Sequence, residues 1–356
     1  MGAEGELWPP AAATGVGSLP GTDAREATRI VLGELPDLPH LVELPARGPG
    51  ADLVGRTAAL LSSVARDLAV ETTATGWRFA DAPGRVTRRA RSWLGEDLDA
   101  LEEAAADRHG ALKSQLCGPW TLAAALELRT GERAVSDPGA VRDLAQALAA
   151  VAADHVADLR RRVPGADVVL QLDEPSLPAV LRGGVPTQSG LSRYRAVDLP
   201  DAQARLRDVV EAVAAAGAVP AVHCCAADVP VDLVVGAGAR VLSVDLALVA
   251  GRDDEAWGRA VEDGVGLLLG IVPTTPVAVS DLAATVAPVE RWWHRLGFAP
   301  ETLAARVALS PACGLAGASP EWVRTAYARC VAAGRALRDD RVDPGDPMTE
   351  EQDGRG

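Results

Sequence analysis

The sequence predicts an α/β protein, a (β/α)8 barrel folded as a single domain, and three observations predict it. Short apolar runs alternate with amphipathic stretches along nearly the whole chain. Eight such runs are present, the number that a closed parallel barrel requires. Chemically capable side chains stand at the C-terminal ends of run after run, and in such a barrel those ends converge on one mouth.

In chain order the runs are residues 13–19, 40–45, 111–117, 167–173, 218–225, 239–246, 265–272 and 307–313. Each is apolar or β-branched and stops at polar, Gly or Pro punctuation, which reads as a short buried strand. Between them, residues 143–162 and 201–215 carry apolar side chains at helical spacing. The second and third runs are too far apart for one crossover helix, so an insertion that includes residues 75–98 is expected there. Residues 1–12 read as a mobile N-terminus, 13–338 as the catalytic domain and 339–356, rich in Asp, Glu, Pro and Gly, as a disordered acidic tail. A doubly wound open sheet fits the same alternation, but it brings residue 313 to residue 223 less naturally.

Composition removes several function classes. The chain has 356 residues, 48% of them hydrophobic, enough to fill a sizeable core. With 49 acidic against 35 basic residues the formal charge is -14, the wrong sign for a nucleic-acid partner. Lys113 is the lone lysine and no GxxxxGK[ST] surrounds it, which excludes a P-loop. The first twelve residues lack a basic segment before an apolar stretch, so no secretory signal is expected. Residues 213–250, the longest weakly charged region, are interrupted by His223, Asp228, Pro230, Asp232, Arg240 and Asp245, a poor membrane span. Five cysteines in such a chain suggest a reducing cytoplasm, where thiols hold metals more often than they form disulfides.

The run ends supply Ser18, Glu43, Cys117, Asp173 with Glu174, His223 with Cys225, Asp245 and Cys313. In an extended strand, residues i and i+2 share a face, so His223 and Cys225 can address one metal while Cys224 turns away. Imidazole nitrogen and thiolate sulfur are both good zinc ligands. The competing reading is a buried histidine with two core cysteines. Cys313, in Ser310-Pro311-Ala312-Cys313-Gly314, favours the metal because it ends another run where Pro and Gly set the loop. Cys117 and Cys330 read as structural. Three protein ligands with an open position describe a catalytic zinc site better than a closed structural one. Lys113 has a separate reading as a Schiff-base lysine, which burial would activate.

Five segments, in this order and at these positions, carry a family resemblance. They are Gly15-Val16-Gly17-Ser18-Leu19-Pro20, Gly118-Pro119-Trp120-Thr121, Gln171-Leu172-Asp173-Glu174-Pro175-Ser176-Leu177, His223-Cys224-Cys225 and Pro311-Ala312-Cys313-Gly314-Leu315. Together they resemble the catalytic half of cobalamin-independent methionine synthase, in the superfamily that includes uroporphyrinogen decarboxylase, from Thr14 to about Ala332.

The resemblance implies a (β/α)8 barrel, a zinc cofactor and methyl transfer to the thiol of homocysteine. It implies zinc ligands at His223, Cys225, Asp245 and Cys313, with Asp245 one methylene shorter than the family's Glu. The alternative for Asp245 is a carboxylate that only hydrogen-bonds a ligand. The resemblance assigns Asp173 to the substrate's amino group, as both a binding and a catalytic residue, and Gly17 and Ser18 to amino-acid contacts. Glu43 is a further amino-group candidate, although the residues after it depart from the family pattern. Glu174 is expected to cap the helix after Pro175.

The methyl-donor side departs further. The family's His after the seventh strand is missing from Gly270-Ile271-Val272-Pro273-Thr274-Thr275-Pro276, and its folate-stacking Trp falls near Ala125; Trp120, nearby, reads equally as a ring that stacks on a flat donor or as core packing. The donor is therefore either a methyl-folate or a corrinoid carrier. Competing functions are a corrinoid-dependent thiol methyltransferase, a metal-free decarboxylase of the porphyrinogen type and a non-catalytic zinc or thiol binder.

Overall fold

The structure, a computed structural model, describes residues 7–276 and 281–339. In chain order its strands are β1 (Ala69–Thr73), β2 (Gly76–Ala80), β3 (Gly110–Cys117), β4 (Leu126–Glu127), β5 (Ala166–Asp173), β6 (Val219–Cys224), β7 (Val241–Asp245), β8 (Gly266–Val272) and β9 (Val307–Pro311). Strands β3, β5, β6, β7, β8 and β9 form one parallel sheet in that order. Its two edges are joined by the first two apolar runs. Ala13 bridges to Leu309 of β9, Ser18 to Glu43, and His40 to Lys113 of β3, all parallel.

The ring thus has eight staves, as expected, but two are held by a few backbone bonds. These include Thr14 N–H to the Leu309 carbonyl at 2.9 Å and Leu41 N–H to the Lys113 carbonyl at 2.8 Å. Glycine and proline explain the short pairing, since residues 15–20 hold Gly15, Gly17 and Pro20 and the second run is flanked by Pro39 and Pro45. A hydrogen bond of 2.9 Å between His40 and Tyr327, in the last helix (Pro320–Asp339), secures the second stave from outside the ring. Burial lowers the His40 pKa to about 3, so the bond is made by neutral imidazole.

Strand periodicity orders the interior. Ala111, Val169, Ala221, Val241, Leu268 and Ala308 face inward and cluster with Trp8, Ala12 and Leu38. They form an apolar plug at one end of the barrel. Two residues further along each strand the same face continues with Lys113, Gln171, His223, Ser243 and Ser310, all buried. The next inward positions are Gln115, Asp173, Cys225 and Asp245. A polar chamber therefore stands on an apolar floor.

Trp8 corrects the expected N-terminal boundary. It is 5% exposed within the plug, and the Ala11 N–H donates to the Ala304 carbonyl at 2.6 Å. Burying an indole removes roughly 150–250 Å² from water, worth about 4–6 kcal/mol at 25 cal/mol per Å². Residues 7–12 are therefore packed structure rather than a mobile arm. Residues 1–6 and 340–356, which held the rest of the expected mobile ends, lie outside the described residues.

The expected helices at 143–162 and 201–215 fall within Pro138–Arg162 and Leu199–Ala215. Both begin earlier because a proline in the first turn suits the helix backbone, and Asp137 caps the first through Gly139 and Ala140. The insertion contains helix Leu53–Val64, the β1–β2 hairpin and helix Arg85–Ala105. Strand β2 also pairs in parallel with β4, which ties the hairpin to the segment following β3. No helix among the described residues is long and apolar enough to cross a membrane.

Candidate metal centre

His223 lies near the end of β6 and Cys225 just beyond it, on the same face. Cys313 arrives from the loop after β9. A glycine makes that arrival possible. At Gly270 a Cβ would stand 2.6 Å from the Ala312 Cα, so only glycine lets the loop lie this close to β8. The Ala312 N–H then donates to the Val272 carbonyl at 2.8 Å, which fixes the loop.

The ligand atoms of His223, Cys225 and Cys313 lie within 4.8 Å of one another, and the two sulfurs are 3.1 Å apart. The imidazole is oriented from behind, with Nδ1 2.9 Å from the Ser243 hydroxyl. Its Nε2 is buried and, among the described residues, has no hydrogen-bond partner. An orphaned buried nitrogen is costly, and this one borders two thiols. That donor set suits a soft or borderline divalent ion such as zinc. The Cys313 thiol is held down to about 4 by its hydrogen bond to Cys225 and by His223, whereas the same bond and burial push Cys225 up. The two thiols are thus coupled through one short contact.

The remaining predicted residues divide into those brought to the chamber and those turned away. Asp173 is buried and donates nothing; its Oδ1 accepts from Gln171 Nε2 at 2.6 Å. Burial raises its pKa to about 6, offset in part by His223 and Lys113. Glu43 is also buried and raised to about 7, chiefly by desolvation, with Arg56 opposing. Ser18 sits against the Cys313 loop, its carbonyl accepting the Leu315 N–H at 2.8 Å. Gly17, at φ +154°, packs on the Gln115 amide where a Cβ would be 2.6 Å away. Its position in the chain is thus explained by close approach as well as by any ligand contact.

Asp245 is placed differently from the ligand expectation. Its carboxylate accepts the Ala247 N–H at 2.9 Å, capping the turn Leu246–Leu248, and it is not a member of the three-residue cluster. The shorter side chain finds a donor in its own turn before it reaches the metal position. Cys224 turns away and Cys117 and Cys330 are buried, as expected of structural thiols.

The family model "Cobalamin-independent synthase, Catalytic domain" matches residues 11–336. The chain belongs to this family. It is a methyltransferase. A B12-independent methionine synthase from Shewanella sp. W3-18-1, solved in complex with selenomethionine, is similar with a TM-score of 0.60 and 13% identity, covering 93% of this chain and 98% of that one. A GH20 β-N-acetylhexosaminidase from Streptomyces coelicolor A3(2) aligns with a TM-score of 0.43 and 13% identity, over 96% of this chain and 72% of that one, too slight a likeness to carry an argument. No curated protein sequence matches the chain.

Within this cobalamin-independent synthase domain, the donor-side candidate Trp120 takes the core-packing alternative. It is 2% exposed, and its indole N–H donates to the Ala202 carbonyl of helix Leu199–Ala215 at 2.8 Å. The ring is spent on packing the helical shell. Lys113 is likewise engaged: its ammonium donates to the Val16 carbonyl at 2.8 Å and to Gln171 Oε1 at 3.0 Å. Burial lowers its pKa to about 8, but both bonds hold the amine in place, against a Schiff-base role. Glu174 caps a helix other than the one expected. It accepts from Trp120 N–H, Thr121 N–H and the Thr121 hydroxyl, so it caps Pro119–Ala125 rather than the helix after Pro175.

Ser243 is the residue the sequence reading passed over. The signal was present, because it lies two positions before Asp245 and shares its inward face. The Ser243→Ala variant of this synthase-family chain is expected to bind metal about 10–100-fold more weakly, as loss of an outer hydrogen bond to a ligating histidine does. Competition with a chelator of known zinc affinity measures it, and unchanged affinity would contradict the orienting role.

Proposed function

We propose that the chain transfers a methyl group to the thiol of homocysteine or a closely related amino-thiol, using zinc held by His223, Cys225 and Cys313. The observation that carries this reading is the buried, unpartnered Nε2 of His223 beside two sulfurs. When bound, zinc supplies the positive charge that converts a substrate thiol, with an ordinary pKa near 8.5, to its thiolate at neutral pH. His223 enters through Nε2 because Ser243 occupies Nδ1. Asp173, on the strand next to His223, is the carboxylate offered to the amino group, with Glu43 as a second acidic contact and Gly17 and Ser18 closing the amino-acid side. Asp245 stands at the rim as a reserve ligand or a hydrogen-bond acceptor. The transfer forms one S–CH3 bond as the donor loses its bond to the methyl group and keeps the electron pair.

The donor is a methyl-folate or a corrinoid methyl carrier. The buried Trp120 ring is not free to stack on either donor. All five cysteines are free, which agrees with a cytoplasmic setting. Methyl transfer to homocysteine, assayed separately with 5-methyltetrahydrofolate and with methylcobalamin, tests the proposal. Methionine is expected from one of the two. Zinc-loaded protein that forms none from either donor would overturn the reading.

A further inference from the structure

We propose that Lys113 and Gln171 are positioning residues that hold the Asp173 carboxylate, and the run 15–18 beside it, in the geometry that binds a substrate amino group. The inference rests on the reading of Asp173 given above and extends it to two residues with no assigned role.

The hydrogen bonds form one directed chain. Lysine offers only donors, and Lys113 Nζ donates to Gln171 Oε1 at 3.0 Å and to the Val16 carbonyl at 2.8 Å. The amide oxygen of Gln171 must therefore face Lys113. Its Nε2 then faces the opposite way, where it donates to Asp173 Oδ1 at 2.6 Å and to the Val16 carbonyl at 3.0 Å. The reverse amide orientation would set donor against donor at one end and oxygen against carboxylate at the other. Lys113 thus dictates which way Gln171 points, and Gln171 dictates which Asp173 oxygen is occupied. Among the described residues Oδ2 has no hydrogen bond to protein, which leaves it for a ligand.

Packing explains why this chain is rigid. Lys113 and Gln171 are both fully buried, on neighbouring strands β3 and β5, above the apolar floor. Val16, in the stave that carries Gly17 and Ser18, receives bonds from both. Three staves are therefore pinned together beneath the proposed amino-group site. A buried ammonium is expensive unless its donors are used, and here one positive charge lies two hydrogen bonds from one carboxylate.

The test compares two ligands that differ only in the amino group, homocysteine and 4-mercaptobutanoate, by calorimetric binding to zinc-loaded wild type, Gln171→Ala, Gln171→Glu and Lys113→Met. Wild type is expected to prefer homocysteine strongly. In Gln171→Ala that preference should shrink by about 10–100-fold, as loss of a hydrogen bond to a charged group does, with zinc content unchanged. Gln171→Glu keeps the size and the acceptor for Lys113 but loses the donor to Asp173, and it should lose the preference as well. Lys113→Met should lose it in part. A merely structural role would weaken both ligands equally. Variants that retain the full wild-type preference overturn the positioning role while leaving Asp173 intact. A wild type that does not distinguish the two ligands overturns the reading of Asp173 itself.

Discussion

Cys313→Ala is expected to empty the metal site, lowering bound zinc from about one per chain to below about 0.1 and methyl transfer by more than about 100-fold. The reasoning starts from ligand number. His223, Cys225 and Cys313 are the members of the cluster, and Asp245 is engaged by its own turn. Loss of one sulfur leaves two ligands, too few for a catalytic zinc site, which ordinarily has three. An outer partner alone is worth 10–100-fold, and a direct ligand should exceed that. Cys330→Ala is the control, since Cys330 is buried in the last helix, is not a member of the cluster and should keep its zinc. Metal analysis of both purified variants decides the matter. Full zinc in Cys313→Ala would refute the centre as drawn.

Glu174→Ala is expected to cost about 3–5 kcal/mol of folding stability. The carboxylate is fully buried and accepts three hydrogen bonds, at 2.8 Å from Trp120 N–H, 2.8 Å from Thr121 N–H and 2.7 Å from the Thr121 hydroxyl. Burial raises its pKa to about 7, while those three donors pull the other way. Alanine would leave all three donors dry and unpaired, at roughly 1–3 kcal/mol each before relaxation. A loss of this size is exceptional for one substitution and a large part of a typical domain's 5–15 kcal/mol. Urea unfolding measures it through the midpoint at constant slope. Glu174→Gln retains one acceptor oxygen and should fall between the two. A loss below about 1 kcal/mol for alanine would show that the start of helix Pro119–Ala125 is held by something else.

Glu174 also shows how far the sequence could be read. The segments Gly118-Pro119-Trp120-Thr121 and Asp173-Glu174-Pro175 were each visible, and a capping role for Glu174 followed from charge. Its partner did not follow. The nearest helix in sequence is the expected one, whereas the donor Trp120 N–H lies 54 residues earlier, brought alongside because β3 and β5 are neighbours. The sequence left Trp120 between donor stacking and core packing for the same reason, since only the packing of helix Leu199–Ala215 engages its indole N–H. Asp245 stands outside the three-residue cluster with Oδ1 accepting the Ala247 N–H, a local bond that strand periodicity does not reveal.

By itself the sequence determined the alternation of strand and helix and the shared face of His223 and Cys225. Those properties depend on residues two or four apart, and the geometry of an extended or helical backbone fixes them locally. Only the tertiary structure decided that Trp8 floors the barrel, that Ser243 orients His223 and that Lys113 reaches Asp173 through Gln171. The Ser243–His223 and Lys113–Gln171 bonds join different staves, and Trp8 reaches the floor from before the first stave, so these contacts came into being when the ring closed.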